Sequence, residues 1–169
     1  MAAEVIKVYR EYLPKLRLIG KLYTDKDRNV VGSFADKWDE WIKNGWFEEL
    51  VKLGALPESY GATYGMMRFN EDTFEYWIGM LFPEQTEVPE GYSYADIEDG
   101  DVAVCWIYGR DDNGEIFGIE PHEMCMEKIN QEGWQLQDKP WFFERYDNTR
   151  FTSPDEKGNV ILDYGVYIK

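Results

Sequence analysis

Alternating apolar and polar positions predict strands in both halves of the chain. In the first half, an extended segment over residues 5–12 leads to an apolar strand over residues 16–23, and strands follow at residues 62–69 and 74–82. The polar turn Asn70-Glu71-Asp72 between the last two predicts an antiparallel hairpin. The second half shows the same kind of alternation at residues 92–97, 102–109, 141–146 and 160–168.

Helical spacing of apolar residues predicts two main helices. Ser33 suits the N-cap of the first, Gly45 predicts a break within it, and it ends by Gly54. Its apolar stripe consists of Phe34, Trp38, Trp41, Ile42 and Leu50. The second helix covers residues 121–132, with Pro121 at its first position. A loop over residues 57–61 connects the first helix to the hairpin.

The order of these elements is the same in both halves. Strand, helix, strand, strand occurs over residues 16–82 and again over residues 102–168, although the two segments share negligible sequence identity. A helix followed by a hairpin favours an α+β fold with antiparallel sheets. The sequence therefore predicts one domain over residues 1–169, built from two such units with a central groove where the two sheets meet.

Length and composition place the chain among ordinary globular proteins. It has 169 residues, of which 44% are apolar and 30% charged, enough for one well-filled core. No apolar run reaches the roughly 18 residues of a membrane span, so we expect a cytoplasmic protein without a membrane partner. Cys105 and Cys125 lack metal-ligand spacing, and we expect two buried free thiols, no metal and no cofactor.

Charge and aromatic content narrow the classes of ligand. The net charge of −15 repels a phosphate backbone, so we expect no nucleic-acid partner. The same field attracts cations, although an acidic surface also serves solubility alone. Aromatic residues form 17% of the chain, which suits either a compact core or a pocket for flat or cationic ligands.

Several segments resemble the GyrI-like, or AraC-type effector-binding, family of small-molecule-binding domains. Those of the first half are Leu13-Pro14, Arg17-Leu18-Ile19-Gly20, Trp38-x-x-Trp41 and Glu75-Tyr76-Trp77-Ile78-Gly79-Met80. Those of the second half are Val88-Pro89-Glu90-Gly91, Val102-Ala103-Val104, Gly109 and Phe143-Glu144-Arg145-Tyr146. The resemblance covers nearly the whole chain. It implies a duplicated strand-helix-strand-strand fold with a central groove. Many family members carry an additional DNA-binding domain, but no helix-turn-helix candidate precedes Leu16 here.

The resemblance singles out Glu144, because family members place a glutamate of the penultimate strand in the groove, facing the ligand. Strand alternation puts Phe142, Glu144 and Tyr146 on one face. A carboxylate among rings is partly desolvated, which favours an incoming cation or hydrogen-bond donor. The alternatives are that Glu144 is solvated or pairs with an arginine such as Arg68 or Arg145.

Other aromatic residues are candidates for the walls of the groove, and each is also a candidate for ordinary core. They are Tyr64, Trp77, Trp106, Tyr108 and Tyr164. Tyr164 lies on the last strand and is expected beside Glu144, with Asp163 pointing away. Trp38 and Trp41 are interpreted as core, and His122 as a surface residue near a helix N-terminus.

Three functions follow from the residues and the resemblance. The first is binding of amphipathic, aromatic and cationic small molecules at Glu144. The second is a hydrolase that opens cyclopropane rings of reactive natural products, an activity known in stand-alone family members, with Glu144 as general base and Tyr164 or Tyr64 as hydrogen-bond donor. The third, modulation of a macromolecule such as gyrase, is supported here only by the acidic surface.

Overall fold

A computed structural model describes residues 3–54 and 62–169 of the chain. The strands are β1 (Glu4–Leu13), β2 (Leu16–Tyr23), β3 (Thr63–Asn70), β4 (Thr73–Pro83), β5 (Ser93–Ile97), β6 (Gly100–Gly109), β7 (Phe142–Tyr146) and β8 (Val160–Ile168). The helices are α1 (Ala35–Asn44), α2 (Trp46–Val51) and α3 (Ile119–Gln131), with a short 3₁₀ helix at Asp25–Asp27.

The α+β prediction is confirmed, and so is the repeated order of elements. The chain divides into two compact units, which we call the central unit (Lys15–Glu98) and the terminal unit (Met1–Pro14 with Asp99–Lys169). The central unit contains β2, α1, α2, β3 and β4, and the terminal unit contains β6, α3, β7 and β8. Each follows the predicted strand-helix-strand-strand order. The grouping of both units in one domain stays a prediction.

Each unit gains a fourth strand from outside its own repeat. β1 pairs with β6 rather than with β2, and β5 pairs with β2 rather than with β6. The strand orders are therefore β5-β2-β4-β3 in the central unit and β1-β6-β8-β7 in the terminal unit, with antiparallel pairs throughout. The predicted extended segment at residues 5–12 is thus a full strand, because β6 supplies it with a ladder partner.

Two helices cover one face of the sheet of the central unit. Gly45 has φ 68°, a left-handed conformation that separates α1 from α2 as the sequence predicts. Trp41 is fully buried against the sheet, and its indole N–H donates to the Tyr23 hydroxyl at 3.0 Å. The prediction that Ser33 is the N-cap of this helix is wrong. Phe34 holds the N-cap position, while the Ser33 hydroxyl accepts the Ala35 N–H at 3.0 Å.

One helix covers the sheet of the terminal unit. α3 packs Cys125 and Ile129 against a core that contains Cys105, Ile107 and Leu162. Both thiols are buried and free, which confirms the prediction. The predicted strands at residues 141–146 and 160–168 match β7 and β8 to within one residue. The predicted loop at residues 57–61 lies outside the described residues. No helix in the described ranges is long and apolar enough to cross a membrane.

Candidate functional site

The hairpin of β7 and β8 places Glu144 directly opposite Tyr164. Because side chains alternate along a strand, both project from the same face of the sheet. This is the face that α3 covers, since Tyr164 also pairs with Cys105, a residue of the core beneath the helix. The expected cross-strand contact between Glu144 and Tyr164 is therefore present in the register.

Two further aromatic residues of β7 accompany Glu144 on this face. The Tyr146 hydroxyl donates to Oε1 of Glu144 at 3.2 Å, while Phe142 packs against the core of the terminal unit. Glu144, Phe142 and Tyr146 are all partly buried. A carboxylate in this position keeps part of its solvation and adjoins two phenol groups, one beside it on β7 and one across from it on β8.

His122, the fourth residue of α3, contacts Tyr164 and Phe142 from the covering helix. Its Nδ1 lies 2.6 Å from the Tyr164 hydroxyl, and its ring centroid is 5.4 Å from that of Phe142. The interpretation of His122 as a surface residue is therefore wrong. Sequence reasoning missed it because the docking angle of a helix decides which of its first-turn side chains reach the sheet. We call Phe142, Glu144, Tyr146, Tyr164 and His122 the Glu144 cluster.

Burial determines the protonation of two members of the cluster. It raises the pKa of Tyr164 well above its ordinary value, and the charge of Glu144 adds to this shift. Burial lowers the pKa of His122, against a smaller opposite effect from Glu123. Near neutral pH, Tyr164 is thus a phenol and His122 an uncharged imidazole.

The opposite face of the same sheet carries a separate network of charges. Arg145 is 3% exposed and Asp163 fully buried, and the Arg145 Nε donates to Asp163 Oδ2 at 2.8 Å. Arg150 donates twice more to Asp163, and Arg145 also donates to Glu11 at 3.0 and 3.1 Å. Asp163 therefore points away from Tyr164 as expected, and Arg145 reaches carboxylates on the face that Glu144 does not occupy.

Trp106 and Tyr108 lie on this opposite face too, since Trp106 pairs with Asp163 across β6 and β8. The Trp106 indole N–H donates to the Tyr9 hydroxyl at 3.4 Å, and Tyr108 donates to Asp155 in the loop after β7. The structure does not bring these two predicted wall residues together with Glu144. Strand alternation already links Trp106 to Tyr108, but only the register of β6 against β8 shows which face they share.

Tyr64 and Trp77 belong to the central unit. Both are buried, on the side of the β3–β4 hairpin opposite to the helix-covered residues Tyr76 and Ile78. The Trp77 indole N–H donates to Glu75 at 2.9 Å, and Arg68 pairs with the same carboxylate. Their part in a ligand site stays a prediction.

The loop between β7 and β8 packs onto the cluster through Phe151. The Phe151 ring contacts the Tyr146 ring edge to face, with centroids 4.8 Å apart. Arg150 anchors the loop to β8 beside it, because its side chain donates twice to the buried Asp163 and its carbonyl accepts the Ile161 N–H at 3.2 Å. Tyr146, which donates to Glu144, is thus itself positioned by a fixed loop residue.

A second acidic feature lies along α3. A cleft of about 430 Å³ is lined by Ala3, Glu115, Glu120, Glu123, Met124 and Glu127. These carboxylates are solvated side chains that add to the negative field around the terminal unit. They differ from Glu144, which lies among aromatic rings on the sheet.

Solved structures of other proteins share this fold. SAV2435 bound to tetraphenylphosphonium matches with a TM-score of 0.73 and 17% identity, over 97% of this chain and 94% of that chain. A protein of Staphylococcus aureus MU50 assigned to bacterial transcription regulation matches with a TM-score of 0.68 and 17% identity, over 96% and 98%. The EcmrR C-terminal domain matches with a TM-score of 0.58 and 8% identity, over 96% and 97%.

These likenesses show the fold, which is consistent with the GyrI-like resemblance of the sequence. No family model matches the chain, and no curated protein does. EcmrR is also solved in a complex with DNA, and this chain covers 57% of that longer chain. The exclusion of nucleic acid as a partner therefore stays a prediction.

Proposed function

We propose that this protein binds amphipathic, aromatic cations at the Glu144 cluster. The observation that carries the proposal is the pairing of Glu144 with Tyr164 across β7 and β8, with Tyr146 donating to the same carboxylate. A carboxylate beside aromatic rings attracts a delocalised cation twice, through its charge and through the negative faces of the rings. Flat or propeller-shaped aromatic groups of the ligand add apolar contact area.

The fold neighbours and the net charge support this choice of ligand. SAV2435, which shares the fold, is solved with tetraphenylphosphonium, a cation of four phenyl rings. The net charge of −15 raises the concentration of cations near the surface before they reach any specific site. The proposal assigns specificity to Glu144 and general attraction to the remaining acidic residues.

Removing the charge of Glu144 tests the proposal. Binding of tetraphenylphosphonium to the wild-type protein and to Glu144→Gln is measured by isothermal titration calorimetry at low and moderate salt. Two charges about 4 Å apart interact by ~4 kcal/mol at an effective dielectric constant of 20. Partial exposure of the site reduces this to about 1–2 kcal/mol, so affinity should fall about tenfold.

The matched control is Glu156→Gln, which removes the same charge from the exposed loop after β7. Its affinity should stay within a factor of two of the wild type, because screening weakens attraction over longer distances. Equal losses in both variants would assign binding to the general field and would overturn the role of Glu144.

The second candidate function is a hydrolase that opens cyclopropane rings of electrophilic natural products. The pairing of an acid with a phenol favours it, since Glu144 would take a proton from water as the resulting hydroxide attacks a ring carbon. Tyr164 would then donate to the substrate oxygen that gains negative charge. Incubation with such an electrophile, followed by mass spectrometry, detects the product one water heavier. Capture without repeated turnover favours binding.

A further inference from the structure

His122 makes a contact that the binding of cations through Glu144 does not by itself require. Its Nδ1 lies 2.6 Å from the Tyr164 hydroxyl, and its ring meets the Tyr164 ring edge to face with centroids 5.6 Å apart. Within the described part of the chain, His122 is the hydrogen-bond partner of that hydroxyl. The contact joins α3 to the strand position directly opposite Glu144.

The chemistry of the two groups determines the direction of this hydrogen bond. A phenol carries one proton and can donate or accept, and a neutral imidazole has one nitrogen that accepts. The imidazole proton can lie on either nitrogen; because the phenol is the stronger donor and the imidazole nitrogen the stronger acceptor, we assign the proton to Nε2, so that the Tyr164 O–H donates to Nδ1. The central unit shows the opposite case, because the Trp38 indole can only donate and does so to the Tyr76 hydroxyl at 2.9 Å.

We propose that His122 is a specificity-determining residue that holds the Tyr164 hydroxyl as an acceptor towards the Glu144 site, so that the site selects cations over ligands with hydrogen-bond acceptors. The inference rests on the proposed binding function and names the residue that sets its selectivity. With its proton committed to His122, the Tyr164 oxygen presents only lone pairs to a ligand. Lone pairs reinforce the charge of Glu144 for a cation and repel an acceptor such as a phosphoryl oxygen.

Acid should reverse this arrangement. A protonated imidazole donates from Nδ1, so the Tyr164 oxygen accepts and its proton turns towards the site, while a positive charge now lies next to it. The groups that face His122 are Tyr164 on β8, with Glu144 paired to it on β7, and Glu123 on α3 itself. Beneath the helix lie the buried thiols of Cys105 and Cys125, and a hydrogen bond with Cys105, together with burial, raises the pKa of Cys125. The turned Tyr164 proton and the positive charge on His122 both weaken the binding of a cation.

The test compares two probes of similar shape. Tetraphenylphosphonium is a cation without hydrogen-bonding groups, and triphenylphosphine oxide is a neutral acceptor. The measured quantity is the ratio of their dissociation constants for the wild type, His122→Leu and His122→Asn at pH 7.5. Leu removes the acceptor, whereas the Asn side-chain oxygen can replace Nδ1. A hydrogen bond changes affinity about fivefold, so His122→Leu should shift the ratio about fivefold or more towards the oxide, whereas His122→Asn should keep the wild-type ratio.

Two further measurements separate this role from a structural one. In the Tyr164→Phe background, His122→Leu should change the ratio by less than twofold, since the hydroxyl it positions is gone. Between pH 7.5 and 5, the wild type should lose more affinity for tetraphenylphosphonium than His122→Asn does. Circular dichroism verifies that each variant is folded. If His122→Leu does not fold, Tyr164→Phe alone should shift the ratio towards the oxide, and an unchanged ratio would refute the role of the hydroxyl.

The outcomes distinguish the inference from the function on which it rests. If tetraphenylphosphonium does not bind the wild type, or binds Glu144→Gln equally well, the proposed function fails and this inference with it. If Glu144→Gln weakens binding but the ratio of the two probes is unchanged in His122→Leu, the function stands and the role of His122 is refuted.

Discussion

Replacing Asp163 by Asn should destabilise the protein more than replacing Asp147, a less buried carboxylate that also pairs with Arg150. The Asp163 carboxylate is fully buried and accepts one hydrogen bond from Arg145 and two from Arg150, at 2.5–2.8 Å. Asn is nearly the same size but neutral, so the substitution leaves two guanidinium groups without their shared counter-charge.

The magnitude follows from the exposure of the two arginines. Breaking a buried ion pair by removal of one partner costs about 3–5 kcal/mol. Arg150 has a side chain that is 22% exposed and can regain water. Arg145 has a side chain that is only 3% exposed, but it keeps Glu11 as a partner. These two compensations place the expected loss at the lower end, ~3 kcal/mol, which corresponds to a decrease in melting temperature of about 6–12 °C.

Urea denaturation followed by far-ultraviolet circular dichroism measures this loss, with thermal unfolding as a second readout. Asp147→Asn is the matched control, since Asp147 also pairs with Arg150 but has a side chain that is 18% exposed and lies 3.3 Å from the guanidinium. The control should cost about 1 kcal/mol or less. A free energy of unfolding for Asp163→Asn within 1 kcal/mol of the wild type would show that Asp163 does not hold the two arginines as a unit.

Three further predictions concern other described contacts. Gly165→Ala should destabilise by about 1–3 kcal/mol in urea denaturation, because a Cβ would lie 2.2 Å from the Phe143 ring, and Phe143→Leu should restore part of the loss. Ellman's reagent should label neither Cys105 nor Cys125 in the folded protein and both in denaturant, because both thiols are buried. A hydrogen bond with Cys105, together with burial, also raises the pKa of Cys125, which makes its reactive thiolate form rarer. Burial lowers the pKa of His122 in the folded protein, so the unfolded chain binds a proton on this residue more readily. The free energy of unfolding should therefore be highest above about pH 6.5 and decrease below it. In urea denaturation between pH 5 and 8, the free energy of unfolding of His122→Asn should depend less on pH than that of the wild type.

Periodicity alone predicted most of the elements. Residues 16–23 and 160–168 are strands over the predicted range, because continuous apolar stretches bounded by polar turns have few alternatives. The pairing partners were not predictable in this way. Strand β1 follows the pattern of an edge strand, but nothing in residues 5–12 indicates that its partner is β6, about a hundred residues away, and not the adjacent β2.

The candidate site was predictable to the extent that it lies within one hairpin. Alternation placed Phe142, Glu144 and Tyr146 on one face, and the expectation that the last two strands form a hairpin made Tyr164 a candidate cross-strand neighbour, although a loop over residues 147–159 separates the strands. His122 was missed because its role depends on how α3 packs across the sheet. A histidine in the first turn of an amphipathic helix, one turn before the buried Cys125, is a signal that could have suggested it.

The two units pack a helix against a sheet in a similar way but differ in the residue opposite one tyrosine. This difference supports the assignment of the site to the terminal unit. In both, a tyrosine of the inner hairpin strand is bonded to a ring nitrogen of the covering helix. In the central unit that tyrosine, Tyr76, lies opposite Met67, and Phe34 stacks on its ring with centroids 4.3 Å apart. The terminal unit has Glu144 at the position opposite its tyrosine. A carboxylate there reduces apolar burial and stabilises the fold less than methionine would. Under the proposed function, a ligand that gains from the charge would account for this carboxylate, so Glu144→Met should raise the free energy of unfolding in urea denaturation and weaken the binding of tetraphenylphosphonium about tenfold.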